Sequence, residues 1–491
     1  MSHKTDKIRR TLAKTLIGEP LAGKLRAQTG IESFDVIIDP NLDYSAGREG
    51  ARRRIAQLIG EALQPGDPDP CLRPDPYAGI DPAHPYLFAT LSARAIHSIV
   101  ENAAGSIFRI WEDTEIEALL TRSLATVKAD AAQKAFAAEG EGIVWAVIDS
   151  GIDATHPHFQ SNQNLCVPAP LQHRDFTGAD PEAPLTDGAG HGSHVAGIIA
   201  GAGAPSQRPQ ALIHKQDETT GKTVSTIREL DREIRGMAPR ARLLSLKVLD
   251  SAGKGKTSAV IEAIAAIQKF NDFGRRIIVH GDNLSAGYAF MPEWFACGQS
   301  PLCVEVNRLV HSGVVVVVAA GNSGYGSIDP DSGPLLTGGL TLTINDPGNA
   351  EDAITVGSTH REMPHTYGVS YFSSKGPTGD GRLKPDLVAP GECILSCAAG
   401  DSKVKAAAGL PSDRNFDYGD QNFDYIEDSG TSMAAPHVSG AIAAFLSVRR
   451  EFIGRPSEVK RLFMANATDL KRDRAFQGSG LLDLMRVIQA V

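Results

Sequence analysis

Four short stretches of this 491-residue chain set reactive side chains beside glycine at the edges of apolar runs. In Val147-Ile-Asp149-Ser-Gly-Ile-Asp153 a carboxylate closes an apolar strand, which is where open α/β sheets put their active sites. An Asp that only caps a turn is the plainer alternative. In Asp187-Gly-Ala-Gly-His191-Gly-Ser-His194 glycines crowd an imidazole at the start of a helix, permitting close backbone approach. His191 there is either an acid–base group or a helix cap. A metal pair of His191 with His194 fits poorly, because the two stand three apart with no glutamate between them, and His194 is read as structural. In Ser429-Gly430-Thr431-Ser432-Met-Ala-Ala-Pro436 a small-residue turn opens an Ala-rich helix. The dipole and free N–H groups there favour the anion that forms in acyl transfer, although an ordinary Ser/Thr N-cap has the same look. The fourth stretch runs from Val314 to Ala320 and ends in Gly321-Asn322-Ser-Gly324. Its amide either donates to an oxyanion or sits in a turn.

These groups need rigid elements beneath them. From about residue 125 onward short apolar runs alternate with helical patterns, the signature of a parallel sheet covered on both faces. Expected strands are Ile143–Ile148, Ala241–Val248, Ile277–Val279 and Val314–Ala319, with helices near 192–202, 257–272 and 302–312. The fold expected is a doubly wound α/β domain. Two polar stretches, 204–235 and 398–428, read as surface insertions. Ahead of this domain, residues 34–115 read as a small α+β unit. Its strands are Phe34–Asp39, Tyr86–Leu91 and Ser106–Trp111, its helices Ala51–Leu63 and 92–103, and a Pro/Asp/Gly-rich loop spans Pro65–Pro85. Residues 1–33 form a polar, helical lead-in, and 116–135 a linker to the domain at 136–491.

In chain order the reactive groups run Asp149, His191, Asn322, Ser432, and Asp…His…Ser is the subtilisin order, not that of chymotrypsin or the α/β-hydrolases. Residues 140 to 491 resemble the subtilisin-like serine peptidases (subtilases). Ala238-Pro239 to Leu249, Asp346-Pro-Gly-Asn-Ala350 to Gly357, Phe372-Ser-Ser-Lys-Gly-Pro377 and Lys384-Pro-Asp-Leu-Val-Ala-Pro-Gly391 also look like family segments. The resemblance implies an endopeptidase in which Asp149 orients His191 and His191 takes the Ser432 proton. Ser432 then attacks the scissile carbonyl, and Asn322 with the Ser432 N–H receives the oxyanion. It further implies that Leu284, Ser285, Ala286 and Gly287 pair with a protein or peptide substrate bound as an added strand. Ala319, Ala320 and Gly321 would form the facing wall of the primary pocket. Departures stand beside the match. His280-Gly-Asp-Asn283 replaces a compact strand, and Tyr288 stands where a small residue is common. Family members often bind calcium, but no calcium loop matches and none is carried over. Residues 34–115 resemble, more weakly, the ferredoxin-like propeptide that precedes many subtilases. That implies a self-inhibited precursor with the N-terminal domain as intramolecular inhibitor and self-cleavage between about Glu115 and Lys128.

Composition limits the partners. The net charge of −9 and the pI near 5.9 argue against nucleic acid or an anionic membrane as the main partner. No apolar run of signal-peptide length follows the basic N-terminal residues, and no stretch approaches a membrane span. A cytoplasmic chain is expected, with leaderless export left open. Six cysteines in so long a chain make no disulfide framework; Cys297 with Cys303, or Cys393 with Cys397, are close enough in sequence to pair, but reduced thiols are the plainer reading. Two other functions remain at this point. One is a catalytically idle scaffold that binds peptides or a partner; the other is a metallopeptidase using His191 and His194.

Overall fold

The chain folds as two units, Met1–Ala118 and Leu119–Val491. A computed structural model describes residues 16–17, 21, 25, 33–62, 86–103, 105–112, 122–178, 184–203, 208–216, 223–230, 233–289, 297–328, 336–408 and 423–491. In the first unit, strand β1 (Ser33–Pro40) alternates, burying Phe34, Val36 and Ile38, as one-sided sheets do. Helix α1 (Gly47–Ala62) buries Ala51, Ile55, Leu58, Ile59 and Ala62, a stripe with helical spacing. Strand β2 (Leu87–Ser92), helix α2 (Ala93–Asn102) and strand β3 (Ile107–Glu112) follow. Ser92 caps α2, its Oγ accepting from the N–H of Ala95 at 3.2 Å, the usual role of a Ser at that position. The sheet order is β2-β1-β3 with both pairs antiparallel. The loop expected at Pro65–Pro85 and nearly all of the lead-in lie outside the described residues.

The second unit contains, in chain order, β4 (Val144–Asp149), β5 (Arg174–Asp175), β6 (Gln210–Gln216), β7 (Thr223–Glu229), β8 (Arg242–Lys247), β9 (Gly281–Leu284), β10 (Val315–Ala319), β11 (Tyr325–Ile328), β12 (Leu336–Gly339), β13 (Ile354–Thr359), β14 (Leu387–Pro390), β15 (Ile394–Cys397) and β16 (Tyr425–Asp428). Seven of them form one sheet ordered β14-β13-β10-β9-β4-β8-β5, with every neighbouring pair parallel. All six residues of β4 are buried, as a strand covered on both faces requires. Val144, Ala146 and Ile148 belong to one apolar layer. That layer includes residues of α4 (Thr257–Phe270) and α5 (Pro301–His311). Trp145 and Val147 belong to the opposite layer, which includes residues of α3 (His191–Ile199) and α6 (Thr431–Val448). By length and composition α6 is apolar enough to span a membrane, contrary to the expectation that no stretch is. It is the central core helix, its small residues packed on nearly every side.

Three expectations need correction. The strand expected at Ile277–Val279 lies instead at Gly281–Leu284. A Cβ at Gly281 would stand 2.3 Å from the Trp145 ring, so this central position takes a residue of low strand propensity, and tertiary packing overrides the local preference. The supposed insertion at 204–235 carries the β6–β7 hairpin, and β16 from the stretch 398–428 completes a four-stranded sheet, β15-β16-β6-β7. Ala211, Leu212 and Ile213 are the buried part of the hairpin among its described residues, a short apolar run hidden among polar neighbours. The expected linker 116–135 holds helices Arg122–Thr126 and Ala129–Phe136, and Val127, Ala129 and Ala132 are fully buried in the core of the second unit.

One core residue is costly to the fold. Asp282, paired in register with Ala146 and Val316, is 1% exposed, and neither carboxylate oxygen has a hydrogen-bond partner. Burial holds its pKa well above the ordinary range, so the folded group is neutral. Unfolding releases its proton once the pH exceeds about 4, so the destabilisation grows as the pH rises from there. Asp282→Val is expected to stabilise the protein by about 1–3 kcal/mol, with a larger gain at pH 8 than at pH 4. Denaturant unfolding at the two pH values checks this, and an equal or lower midpoint at pH 8 would contradict it.

Candidate active site

Strand β4 delivers Asp149 at its C-terminal end, and α3 begins at His191. Gly192 permits the approach: a Cβ there would meet the Gly151 carbonyl oxygen at 2.2 Å and the Asp149 Cβ at 3.2 Å. Gly190, just before the helix, has φ 88°, a left-handed value that favours glycine. The result is a hydrogen bond of 2.7 Å from His191 Nδ1 to Asp149 Oδ1, an oxygen that also accepts from the Ser150 N–H at 2.8 Å. Asp149 is fully buried, while His191 keeps part of its ring exposed. Burial alone would lower the His191 pKa. The charge and hydrogen bond of Asp149, with smaller contributions from Asp428 and Asp187, outweigh it and raise the value to about 9. Asp187 fixes the helix start. Its carboxylate accepts from the N–H groups of Gly190 and Ser193 and from Ser150 Oγ, and Ser150 Oγ accepts in turn from the Gly192 N–H.

Ser432 is the second residue of α6, where an N–H has no carbonyl one turn back to pair with. Four residues on, Pro436 lacks the N–H that would have bonded the Ser432 carbonyl. Ser285 Oγ takes its place, donating to that carbonyl at 3.1 Å. The Ser432 hydroxyl donates to the Ser285 carbonyl at 3.0 Å, and no hydrogen bond joins it to His191 in this rotamer. Asn322 follows β10. Its Oδ1 accepts from the Thr431 N–H at 2.9 Å and the Thr431 hydroxyl at 3.1 Å. Thr431 Oγ1 accepts in turn from the Gly321 N–H. With its oxygen so held, the Asn322 amide turns its N–H donors toward Gly430, where a Cβ would lie 3.3 Å from Nδ2.

His191, Asn322 and Ser432 line one cleft of about 1310 Å³. Ser285, Ala286, Gly287, Ala319 and Gly321 line it too. Leu284 and Ala320 do not: both are fully buried, and Leu284 packs in the layer beneath α4 and α5, as strand alternation dictates. A nucleophile at a helix N-terminus, a carboxylate-bound imidazole and a side-chain amide facing one groove are the parts of an acyl-transfer site.

The subtilase family model matches residues 140–481. The chain belongs to the subtilase family. It is a subtilisin-like serine endopeptidase. Serine protease AprX of Bacillus subtilis is 30% identical over 389 residues, covering 78% of this chain and 74% of AprX. Subtilisin DY of Bacillus licheniformis is 29% identical over 363 residues, covering 74% of this chain and 96% of that protein. Pyrolysin of Pyrococcus furiosus is 30% identical over 336 residues, 61% of this chain, but the chain spans only 21% of pyrolysin's length.

In this subtilase the His191–His194 metal pair is not assembled. His194 is buried with Nε2 between the carbonyls of Ile394 and Ile426, and burial lowers its pKa. Among the described residues no three His, Cys, Asp or Glu gather into a group that could hold a metal ion. Reading the sequence missed Asp187 and Ser150, because their contribution is hydrogen bonds to backbone that only the folded helix start creates. It also missed the cleft wall at residues 253–257 and the floor residue Asn345. The Gly-Lys-Gly-Lys run 253–256 was the signal for that wall. Tyr288, noted as a departure, lines the cleft and exchanges backbone hydrogen bonds with Asp346 at 3.0 Å.

Proposed function

We propose that this subtilase hydrolyses peptide bonds through an acyl-enzyme on Ser432, with His191 as general base and Asp149 as its orienting partner. The observation that carries this reading is the 2.7 Å Asp149–His191 bond in a cleft shared with a helix-terminal serine. A change of rotamer about the Ser432 Cα–Cβ bond would free the hydroxyl from the Ser285 carbonyl to donate to His191. Catalytic hydrogen bonds are often made only once substrate is bound. Asn322 and the Ser432 N–H then receive the oxyanion. Substrate lies along Ser285–Gly287 as an added strand. The resting hydroxyl contact with Ser285 also favours a second reading, an idle peptide-binding scaffold. Hydrolysis of an unfolded protein, blocked by a fluorophosphonate and untouched by a chelator, supports the first. Binding without turnover supports the second.

The oxyanion role makes a separate prediction. Asn322→Ala is expected to lower kcat about 10²–10³-fold with KM nearly unchanged, since the oxyanion exists only in the transition state. Steady-state kinetics on one peptide check it, and a raised KM with kcat intact would contradict it.

We further propose that the chain is made as a self-inhibited precursor whose first unit is a propeptide domain. In support, its described strands have the order and antiparallel pairing of a ferredoxin-like sheet lacking one edge strand. Self-cleavage ahead of Arg122, within the expected span from Glu115 to Lys128, would leave the helix Arg122–Thr126 and the buried Val127 with the second unit. N-terminal sequencing of the protein beside its Ser432→Ala form tests this. Identical trimming of both would defeat it.

A further inference from the structure

The cleft wall at residues 253–257 carries charge, whereas the wall at Ser285–Ala289 carries none. Lys254 and Lys256 line the cleft with His191 and Ser432; both are exposed, and neither forms an ion pair with a described residue. Their turn is held by Asp250, whose Oδ1 accepts from the N–H groups of Ala252 and Lys254 at 2.9 Å each. Asp250 and Glu262 line a neighbouring hollow that Lys254 and Lys256 also border, while no Asp or Glu among the described residues lines the cleft itself. In a chain of net charge −9, these two ammonium groups and the His191 imidazole are thus the charged groups of the described cleft lining, all of them cationic. An extended substrate along Ser285–Gly287 sends alternate side chains to opposite sides, so every second residue before the scissile bond faces this wall.

We propose that Lys254 and Lys256 are specificity-determining residues that select acidic side chains on the acyl side of the scissile bond. The proposal rests on the peptidase reading above. The preferred substrates are extended acidic segments of proteins. The chain's own sequence holds such a segment: among the six residues from Glu112 to Glu117, Glu112, Asp113, Glu115 and Glu117 are acidic. Glu112 and Asp113 lie just ahead of the stretch where self-cleavage is expected, and Glu115 and Glu117 at its start.

The test uses the purified active protein and fluorogenic peptides built on residues 110–123, with Glu, Gln or Lys placed in turn at each of four acyl-side positions. A solvent-facing ion pair changes kcat/KM roughly twofold to fivefold, so two lysines should favour Glu over Lys by about tenfold at low salt. That preference should collapse in ~1 M salt, where the Debye length is about 3 Å. In the double variant Lys254→Glu, Lys256→Glu, the ratio of Glu to Lys peptides measured within that variant should invert. Equal rates for the three peptides, or a ratio unaltered in the variant, would overturn the proposal and leave the peptidase reading intact. If no peptide were cleaved and Ser432 took no fluorophosphonate label, the peptidase reading would fall and the proposal with it.

Discussion

Ser432→Ala is expected to lower kcat about 10⁶-fold, the scale of loss measured when the equivalent serine is removed from subtilisin. The nucleophile's oxygen forms the bond that defines the acyl-enzyme, and the hydroxyl of neighbouring Thr431 is already engaged, donating to Asn322 Oδ1 and accepting from the Gly321 N–H. What survives is background from the oxyanion donors and the binding groove. The fold should persist, because the hydroxyl's single hydrogen bond, to the Ser285 carbonyl, contributes only about 1 kcal/mol. Turnover of a peptide by the variant, with its circular dichroism unchanged, checks the claim. Retention of activity within tenfold of the parent would remove Ser432 from the mechanism.

The second large effect concerns the carboxylate. Asp149→Asn is expected to reduce kcat/KM about 10⁴-fold, since the amide neither stabilises an imidazolium nor holds the required tautomer. The sign of the accompanying pH shift follows from the causes at His191. In the parent, Asp149 holds the imidazole charged up to about pH 9. The neutral base therefore becomes populated as the pH rises through that value, and kcat/KM should climb from neutral pH and level off above about 9. Without the Asp149 charge, desolvation is the largest remaining influence and lowers the pKa. The inflection should then move down toward the ordinary histidine value of ~6.5. A pH profile of both proteins tests this, and an inflection that stayed in place after the substitution would show that His191 is not the titrating base.

These effects depend on positions that the sequence reveals unequally. The alternation of short apolar strands with helices is strong enough to announce a parallel sheet, because strands buried on both faces must be apolar throughout. Asp149 and His191 stand out since a strand-end carboxylate and a glycine-flanked imidazole leave local signatures. β9 does not stand out. Gly281, Asp282 and Asn283 look like a turn, and only the Trp145 ring packed over Gly281 and the Ser439 hydroxyl bonded to Asn283 on that same face explain why a glycine and an asparagine fill the centre of a sheet. The β6–β7 hairpin was likewise hidden, its three buried residues too few to form a pattern against polar flanks. The resting direction of the Ser432 hydroxyl depends on Ser285, 147 residues away, and no local spacing encodes it. Charge on the cleft wall follows the same logic, since two exposed lysines gain meaning only when the fold sets them opposite an uncharged groove.

The most direct measurement of the central claim is mass-spectrometric location of a fluorophosphonate adduct on the purified protein. The adduct should lie on Ser432 alone, form faster as the pH rises toward 9, and slow sharply in His191→Ala. A folded protein that turns over peptide yet carries the adduct elsewhere, or none at all, would contradict the account.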